Sequence, residues 1–462
     1  MGLTRRQALQ ATAVGVTAVV GSQPASALGD DERVLIHPDG PLTEAIAGLE
    51  ALEGGVRLEY DNFDFLAATV PASVRDELEA DSRIALVEDD PRVDLQTGAG
   101  GGHHHRRIDL IDDVTGPIDD GLVGDDGLIG GGGGDCTVHP PERPSWGWER
   151  IGADEVEETG DSVDIAILDT GIETAHCDLE VAGGYNATGM PGDYEDRHGH
   201  GTHCAGIAGA LENDIGVVGV APEANCYAVK VLDDDGQGYH SWLAAGIDWC
   251  LSNDIEIASL SVGGTESTDA MDTAIEAAAA AGHLVIGAAG NEGNSGGESC
   301  GADNVTYPAT HDDVLAVAAT DDDDSLAAYS SVGEAVGLVA PGSSISSTDI
   351  GNDYATRSGT SMACPHVAGV AGLVWAQYDA DGPGPGADVR AILEDSAESM
   401  TDACWDGHGL VDATAAIESA TERDSDGARD DASDSGASTD GSASLWSRVR
   451  TAIAQLLEWL FG

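Results

Sequence analysis

Lysine is nearly missing from this chain: Lys230 is the one lysine in 462 residues. Basic residues of both kinds number 19 against 84 acidic ones, a formal charge of −65. That shortage argues against nucleic acid or an anionic membrane surface as partner for the body of the protein, since both call for clustered Lys and Arg. A folded chain so charged repels itself in dilute salt. At molar salt the Debye length falls to about 3 Å and the repulsion is screened. The balance therefore points to a salt-saturated setting. A disordered acidic chain is the weaker reading, because apolar segments recur between the acids. CxxC pairs are also lacking among Cys136, Cys177, Cys204, Cys226, Cys250, Cys300, Cys364 and Cys404, so neither a zinc knuckle nor a thioredoxin motif is indicated. Disulfides are compatible with the count, but no pairing follows from sequence. A long hydrophobic run is missing too: the weakly apolar stretch from Ala8 to Val20 is too short to span a bilayer. Arg5 and Arg6 precede it and Ala25-Ser26-Ala27 follows, which is the order of an export signal of twin-arginine type over residues 1–27. Secretion is the localisation this implies.

Residues 30–96 read as a compact unit of order βαββαβ, a ferredoxin-like arrangement. Its size and its place after an export signal suit a propeptide. Residues 97–144 are a Gly/Asp-rich linker. His103, His104 and His105 within it are read as a solvated tract before a metal site, and its exposed glycines as ground for proteolysis. Residues 145–420 alternate short β-branched strands ("VDIAIL", "YAVKVL", "IEIASL", "HLVIGAA", "VLAVAA", "VGLVA") with helical runs. This predicts a doubly wound α/β core around a mostly parallel sheet. Residues 421–444 are Asp, Ser, Gly and Ala, hence a disordered tether. In residues 445–462 apolar side chains recur at helical spacing, with Arg448, Arg450 and Gln455 on the other side. Such a helix lies in a membrane interface, docks on a partner, or packs on its own domain.

Three element ends carry chemistry. "VDIAILDTG" ends a strand at Asp169, "HGHGTHCAG" begins a helix near His200, and "SGTSMACPHVAG" begins another near Ser361. In an open parallel sheet such ends converge on the carboxyl edge. Asp, His, Ser in that chain order is one of the known triad orders. A serine hydroxyl needs a base to take its proton as it attacks a carbonyl; His200 fills that role, with Asp169 fixing its tautomer. Pro365 is expected in the first turn of its helix, where it is tolerated. Asn291 in "AAGNEGN" is either a turn residue or a neutral amide placed for the developing oxyanion, beside the Ser361 backbone amide.

On these blocks and the intervening "LENDIGVVGVAPEANCYAVKVL", residues 145–420 resemble a subtilisin-type serine protease, and with the twin-arginine signal and acidic surface they are most similar to the halolysins. The resemblance implies the subtilisin-like fold, a secreted endopeptidase that processes itself, and its own propeptide as intramolecular inhibitor. It implies peptide substrate added as a β-strand between Ser261, Val262 and Gly263 on one side and Gly236, Gln237 and Gly238 on the other. Ala288, Ala289 and Gly290 would wall the S1 pocket, with Thr306 near its floor. A structural calcium site is implied as well, from the side chains of Asp178 and Asn213 and the carbonyls of Leu211, Ile215 and Val217, with Glu142 as a further candidate of uncertain register. Cys177 stands where the family has proline, which puts the turn before Asp178 in question. His198 and His203 are read as structural or subsite neighbours, and Cys204 and Cys364 as buried packing residues. Two other functions are to be weighed: a maturation protease of narrow specificity, which has the same motifs, and a non-catalytic surface-tethered binding protein, which predicts a missing triad member or oxyanion Asn, whereas none is missing here.

Overall fold

The computed structural model describes residues 31–95, 139–293, 303–378, 385–400 and 407–434. The export signal, the linker histidines, Cys136, Cys300, Cys404 and the C-terminal amphipathic stretch lie outside them.

The N-terminal unit is built from β1 (Asp31–Pro38), α1 (Leu42–Ala51), β2 (Gly55–Glu59), β3 (Leu66–Pro71), α2 (Arg75–Glu79) and β4 (Ile84–Asp89). Its strands form an antiparallel sheet of order β2-β3-β1-β4, matching the expected element order. Alternate residues of a strand face opposite ways. Val34 and Ile36 pack with Leu49, Leu66 and Leu78. Leu35 and Ala67 join Phe65 in a cluster shared with the larger body, so this sheet is covered on both faces. Behind it comes β5 (Arg92–Leu95).

The body begins with α3 (Trp146–Arg150), β6 (Asp164–Asp169), β7 (Val181–Asn186), α4 (His200–Gly209), β8 (Asn225–Lys230) and β9 (Gln237–Tyr239). It continues with α5 (His240–Ser252), β10 (Ile257–Leu260), β11 (Val262–Gly263), α6 (Asp269–Ala281) and β12 (Leu284–Ala288). Then come β13 (Val314–Thr320), β14 (Val336–Pro341), β15 (Ile345–Asp349), β16 (Asp353–Arg357), α7 (Thr360–Gln377), α8 (Pro385–Ser396) and α9 (Ala413–Asp434). Seven strands make one parallel sheet of order β14-β13-β12-β10-β6-β8-β7. The strand β6 shows why both faces are covered: Ile165 and Ile167 enter the cluster with α4 and α7, while Ala166 and Leu168 enter the one with α5 and α6. Each buried Ile or Leu is worth about 2 kcal/mol of transfer free energy, which holds the end of β6 rigidly. The sheet order reverses direction at β6, whose neighbours are β8 and β10, and a crevice forms at such a switch.

Two differences from the sequence reading have physical causes. The helix α9 continues to Asp434, over residues read as the start of a disordered tether; alanines favour helix, and one already started by buried Ala413 and Ala416 propagates cheaply. Pro365 lies in the second turn of α7, not the first, because the helix starts at Thr360.

Candidate active site

Asp169 is the last residue of β6 and His200 the first of α4. Both are buried, and His200 Nδ1 lies 2.9 Å from each carboxylate oxygen of Asp169. The Thr170 amide also donates to Asp169 Oδ1, at 2.7 Å. Nδ1–H thus donates to the carboxylate, which leaves Nε2 as the basic nitrogen. Ser361 sits in the first turn of α7, fully buried, its Oγ 3.4 Å from the Ser261 carbonyl. One thiol ties the two helices: Cys204 Sγ is 3.8 Å from His200 Nδ1 and 3.4 Å from the Ser361 carbonyl.

Pro365 explains that contact. Its missing N–H leaves the carbonyl four residues earlier, that of Ser361, without a helical donor. The Ser261 hydroxyl, at 3.1 Å, and the Cys204 thiol donate to it instead. Burial pushes the Cys204 thiol well up and the Cys364 thiol up to about 11, so both stay protonated and inert at neutral pH.

Asn291 follows β12. Its Oδ1 accepts the Thr360 N–H at 3.0 Å, which fixes the amide so that Nδ2 is the donor end. The Thr360 hydroxyl also accepts from the Gly290 amide, joining the wall of the pocket to the start of α7. Ala288, Ala289 and Gly290 are buried at the carboxyl end of β12. Thr306 lies against them, its amide donating to the Ala289 carbonyl at 2.9 Å. A Cβ on Gly290 would fall 2.8 Å from Ser331 Oγ and 3.0 Å from Thr306, so glycine there keeps that corner open.

Sequence reasoning missed Asp196 and Thr360. The buried Asp196 carboxylate accepts from the amides of His198, Gly199 and Thr202 and from the hydroxyls of Thr170 and Thr202. Burial alone would raise its pKa, but these donors outweigh it and hold the group below the usual carboxylate range. Asp196 thereby pins the start of α4 to the loop after β6. An Asp just ahead of a helix start was the available signal. His198 is half-buried with its ring 6.4 Å from that of His200; His203 is buried, one ring nitrogen on the Ala355 carbonyl.

The cleft holds a strand. β5 lies between β11 and β9 in an antiparallel three-stranded sheet. Leu95 pairs with Val262 and Asp94 with Gly263; on the other edge Asp94 pairs with Gln237, Val93 with Gly238 and Arg92 with Tyr239. The Leu95 amide donates to the Gly236 carbonyl at 3.1 Å. Val93 is fully buried, 3.1 Å from where a Cβ on Gly238 would lie. These are the segments from which strand addition was expected, except that Ser261, just ahead of β11, bonds to Ser361.

Asp178 begins the loop contacts proposed for a cation. Its Oδ2 accepts the Val217 amide at 3.0 Å, while its Oδ1 is buried and accepts no hydrogen bond. Burial pushes its carboxyl up to about 6. Asn213 Oδ1 accepts from the Ile215 amide, and the Glu142 carboxylate accepts from the Asn213 amide. Leu211 donates its amide to the Asp178 carbonyl, and Pro141 bridges to Ile215. Two carboxylates, one of them with a buried oxygen that accepts no hydrogen bond, beside a tight loop are a donor set that suits a hard cation. The turn questioned above is held by Asn352, whose side chain accepts from the Cys177 amide. Cys177 is disulfide-bonded, whereas Cys204, Cys226, Cys250 and Cys364 are free and buried.

The model of the subtilase family matches residues 160–433. Subtilisin NAT of Bacillus subtilis subsp. natto is 42% identical over 263 residues, covering 56% of this chain and 67% of that protein. Subtilisin DY of Bacillus licheniformis is 39% identical over 276 residues, 59% of this chain and 98% of the relative. A thermostable alkaline protease of Halalkalibacterium halodurans is 41% identical over 271 residues, 58% and 72% of the two chains.

Proposed function

This chain belongs to the subtilase family and is a serine endopeptidase, and from that footing we propose that it is a secreted, salt-adapted protease made as a precursor. The observation that carries the catalytic reading is the buried His200 ring held on both oxygens of Asp169, with Ser361 at the start of the adjoining helix. In the proposed cycle His200 Nε2 takes the Ser361 proton as Oγ attacks the peptide carbonyl. The oxyanion forms facing the Ser361 amide and Asn291 Nδ2, both held in place before the reaction. His200 then gives its proton to the leaving amine, and water repeats the sequence on the acyl-enzyme.

Residues 31–95 are proposed as the propeptide. In support, β5 runs through the cleft in the register a substrate strand would take. The export signal and the charge of −65 support secretion into strong salt, and the kinship with halolysins rests on the same two features. Calcium, when bound by Asp178, Asn213, Glu142 and the loop carbonyls of Leu211, Ile215 and Val217, would supply rigidity rather than chemistry. The chain's own residues shape that loop in readiness: the Ile215 amide closes it onto Asn213.

Casein hydrolysis in molar salt tests the proposal. The unaltered full chain is expected to release peptides, and Ser361→Ala to lose about 10⁶ in kcat. Equal turnover by the variant would end the catalytic assignment.

A further inference from the structure

Basic side chains are scarce in this protein, yet two of the 19 meet at one aromatic ring. Arg33 of β1 places its guanidinium carbon 3.7 Å from the ring centre of Tyr239 and 5.4 Å from that of Trp242. Arg92 of β5 places its own 5.7 Å from Tyr239. The two rings stand edge to face, 5.0 Å apart at 82°. Polar groups border the corner: Arg33 donates to Ser241 Oγ at 2.9 Å, and Arg92 to Gln237 Oε1 at 3.4 Å. Both arginines come from residues 31–95. The rings, Ser241 and Gln237 all belong to the body, so departure of the N-terminal unit leaves the corner without its cations. Asp90, the carboxylate paired with Arg33 at 2.8 Å, departs too. What stays behind to attract a cation is the ring pair, with Gln237 Oε1 and Ser241 Oγ at its border.

We propose that the Tyr239–Trp242 corner is a cation subsite of the mature protease, and that it selects peptides with arginine at the register position of Arg92, three residues before that of Leu95. The inference rests on the reading that the cleft takes substrate as it takes β5, where Arg92 lies directly opposite Tyr239. A guanidinium within about 6 Å of a ring centre is attracted by the ring quadrupole, and its plane stacks where an ammonium cannot. The salt-adapted setting sharpens the point. Long-range attraction of basic peptides to an acidic surface is screened at molar salt, whereas a guanidinium from the Arg92 position that moves onto the ring face Arg33 vacates sits at contact distance, as Arg33 does at 3.7 Å. The subsite therefore gives selectivity for a cation under the conditions where the net charge gives none.

The test uses the full chain after it has matured. Internally quenched peptides copying residues 90–98 carry arginine, lysine or norleucine at the Arg92 position, and kcat/KM is measured in molar KCl. The arginine peptide is expected to be cleaved about three- to fivefold better than the norleucine peptide, with lysine between them. In Tyr239→Leu the ratio should fall to about one, and Tyr239→Phe, which keeps a ring, should restore it. Cleavage of the norleucine peptide in each variant reports whether the cleft is intact, and Trp242→Leu, expected to lower the ratio, stands in if Tyr239→Leu fails to fold. A ratio of one in the unaltered enzyme overturns the subsite, as does a ratio that survives Tyr239→Leu and so belongs to the acidic surface. No hydrolysis of casein or of any peptide would instead overturn the protease reading, and the subsite with it.

Discussion

The floor beneath Ser361 and the seam beneath residues 31–95 are assembled by different physics. The floor is dry and made of small residues: every residue of α4 is buried, as are those of α7 from Thr360 to Val374. Backbones approach so closely that a Cβ on Gly206 would fall 2.2 Å from Thr348 Oγ1, and one on Gly369 2.5 Å from Val220. The seam is stitched by carboxylates taking backbone amides. Glu88 accepts from Asp269 and Ala270 at the start of α6, Asp90 from Ser241 near the start of α5, and Asp248 from Asp61 and Asn62. Close packing fixes a geometry permanently. Carboxylate bonds at helix ends hold well and answer to pH. The contrast fits a floor that must never shift and, on the proposed precursor reading, a seam that later parts.

The comparison can be broken at four points of decreasing size. Asn291→Ala acts on the floor and is expected to cost about 10²–10³ in kcat with KM little changed; a comparable rise in KM alone would show that the amide serves binding. Calcium removal acts on the body beside the floor. A hundredfold excess over Kd is worth about 2.7 kcal/mol, so chelation should lower the thermal midpoint, and Asp178→Asn should blunt that response. Chelation that leaves the midpoint of the unaltered chain where it was would remove the proposed site.

The third point is His366, within α7. Burial brings its pKa down to about 4 from the usual 6.5. A depressed histidine favours the fold while neutral, so its contribution is complete above about pH 6.5 and drains away as pH falls toward 4. The loss is on the order of 2–3 kcal/mol, and His366→Gln should flatten the dependence of the midpoint on pH over that window. The smallest effect belongs to the seam. Burial would raise the pKa of Glu88, but His37 and the two amides hold it below its ordinary 4.5. A depressed carboxyl stabilises docking while ionised, so the benefit is present above pH 4.5 and lost as pH falls through the lower docked value. Gel filtration of the cleaved chain should show residues 31–95 co-eluting with the body until that range is reached, with Glu88→Gln weakening retention a fewfold at neutral pH. Retention indifferent to both would make the seam as permanent as the floor.

Much of the floor was legible in the sequence because its parts are local. Apolar runs marked six of the seven strands of the sheet, all but β7, and Asp169, His200 and Ser361 each lay at or next to the end of an element within a short motif. The seam was legible only in part. The family resemblance named the edges that form β9 and β11, but β5, four residues long and pairing across some 140 to 170 positions of chain, has no period to read. Thr360 was missed because it acts through backbone amides, which leave no trace in residue type, and Asp196 because an Asp ahead of a helix start does not reveal that it also ties down the loop after β6. Pro365 was placed one turn too early because the start of α7 could not be fixed from its pattern.

Lys230 has a practical bearing on how this protein can be handled. It is buried, with Nζ donating to the Thr170 carbonyl at 2.6 Å and to Asp234 at 3.0 Å. Reagents that seek side-chain amines, whether dyes, cross-linkers or activated resins, therefore meet no accessible lysine on the folded surface. Attachment through carboxyl groups, of which there are 84 on side chains, is the route open to labelling or immobilising it.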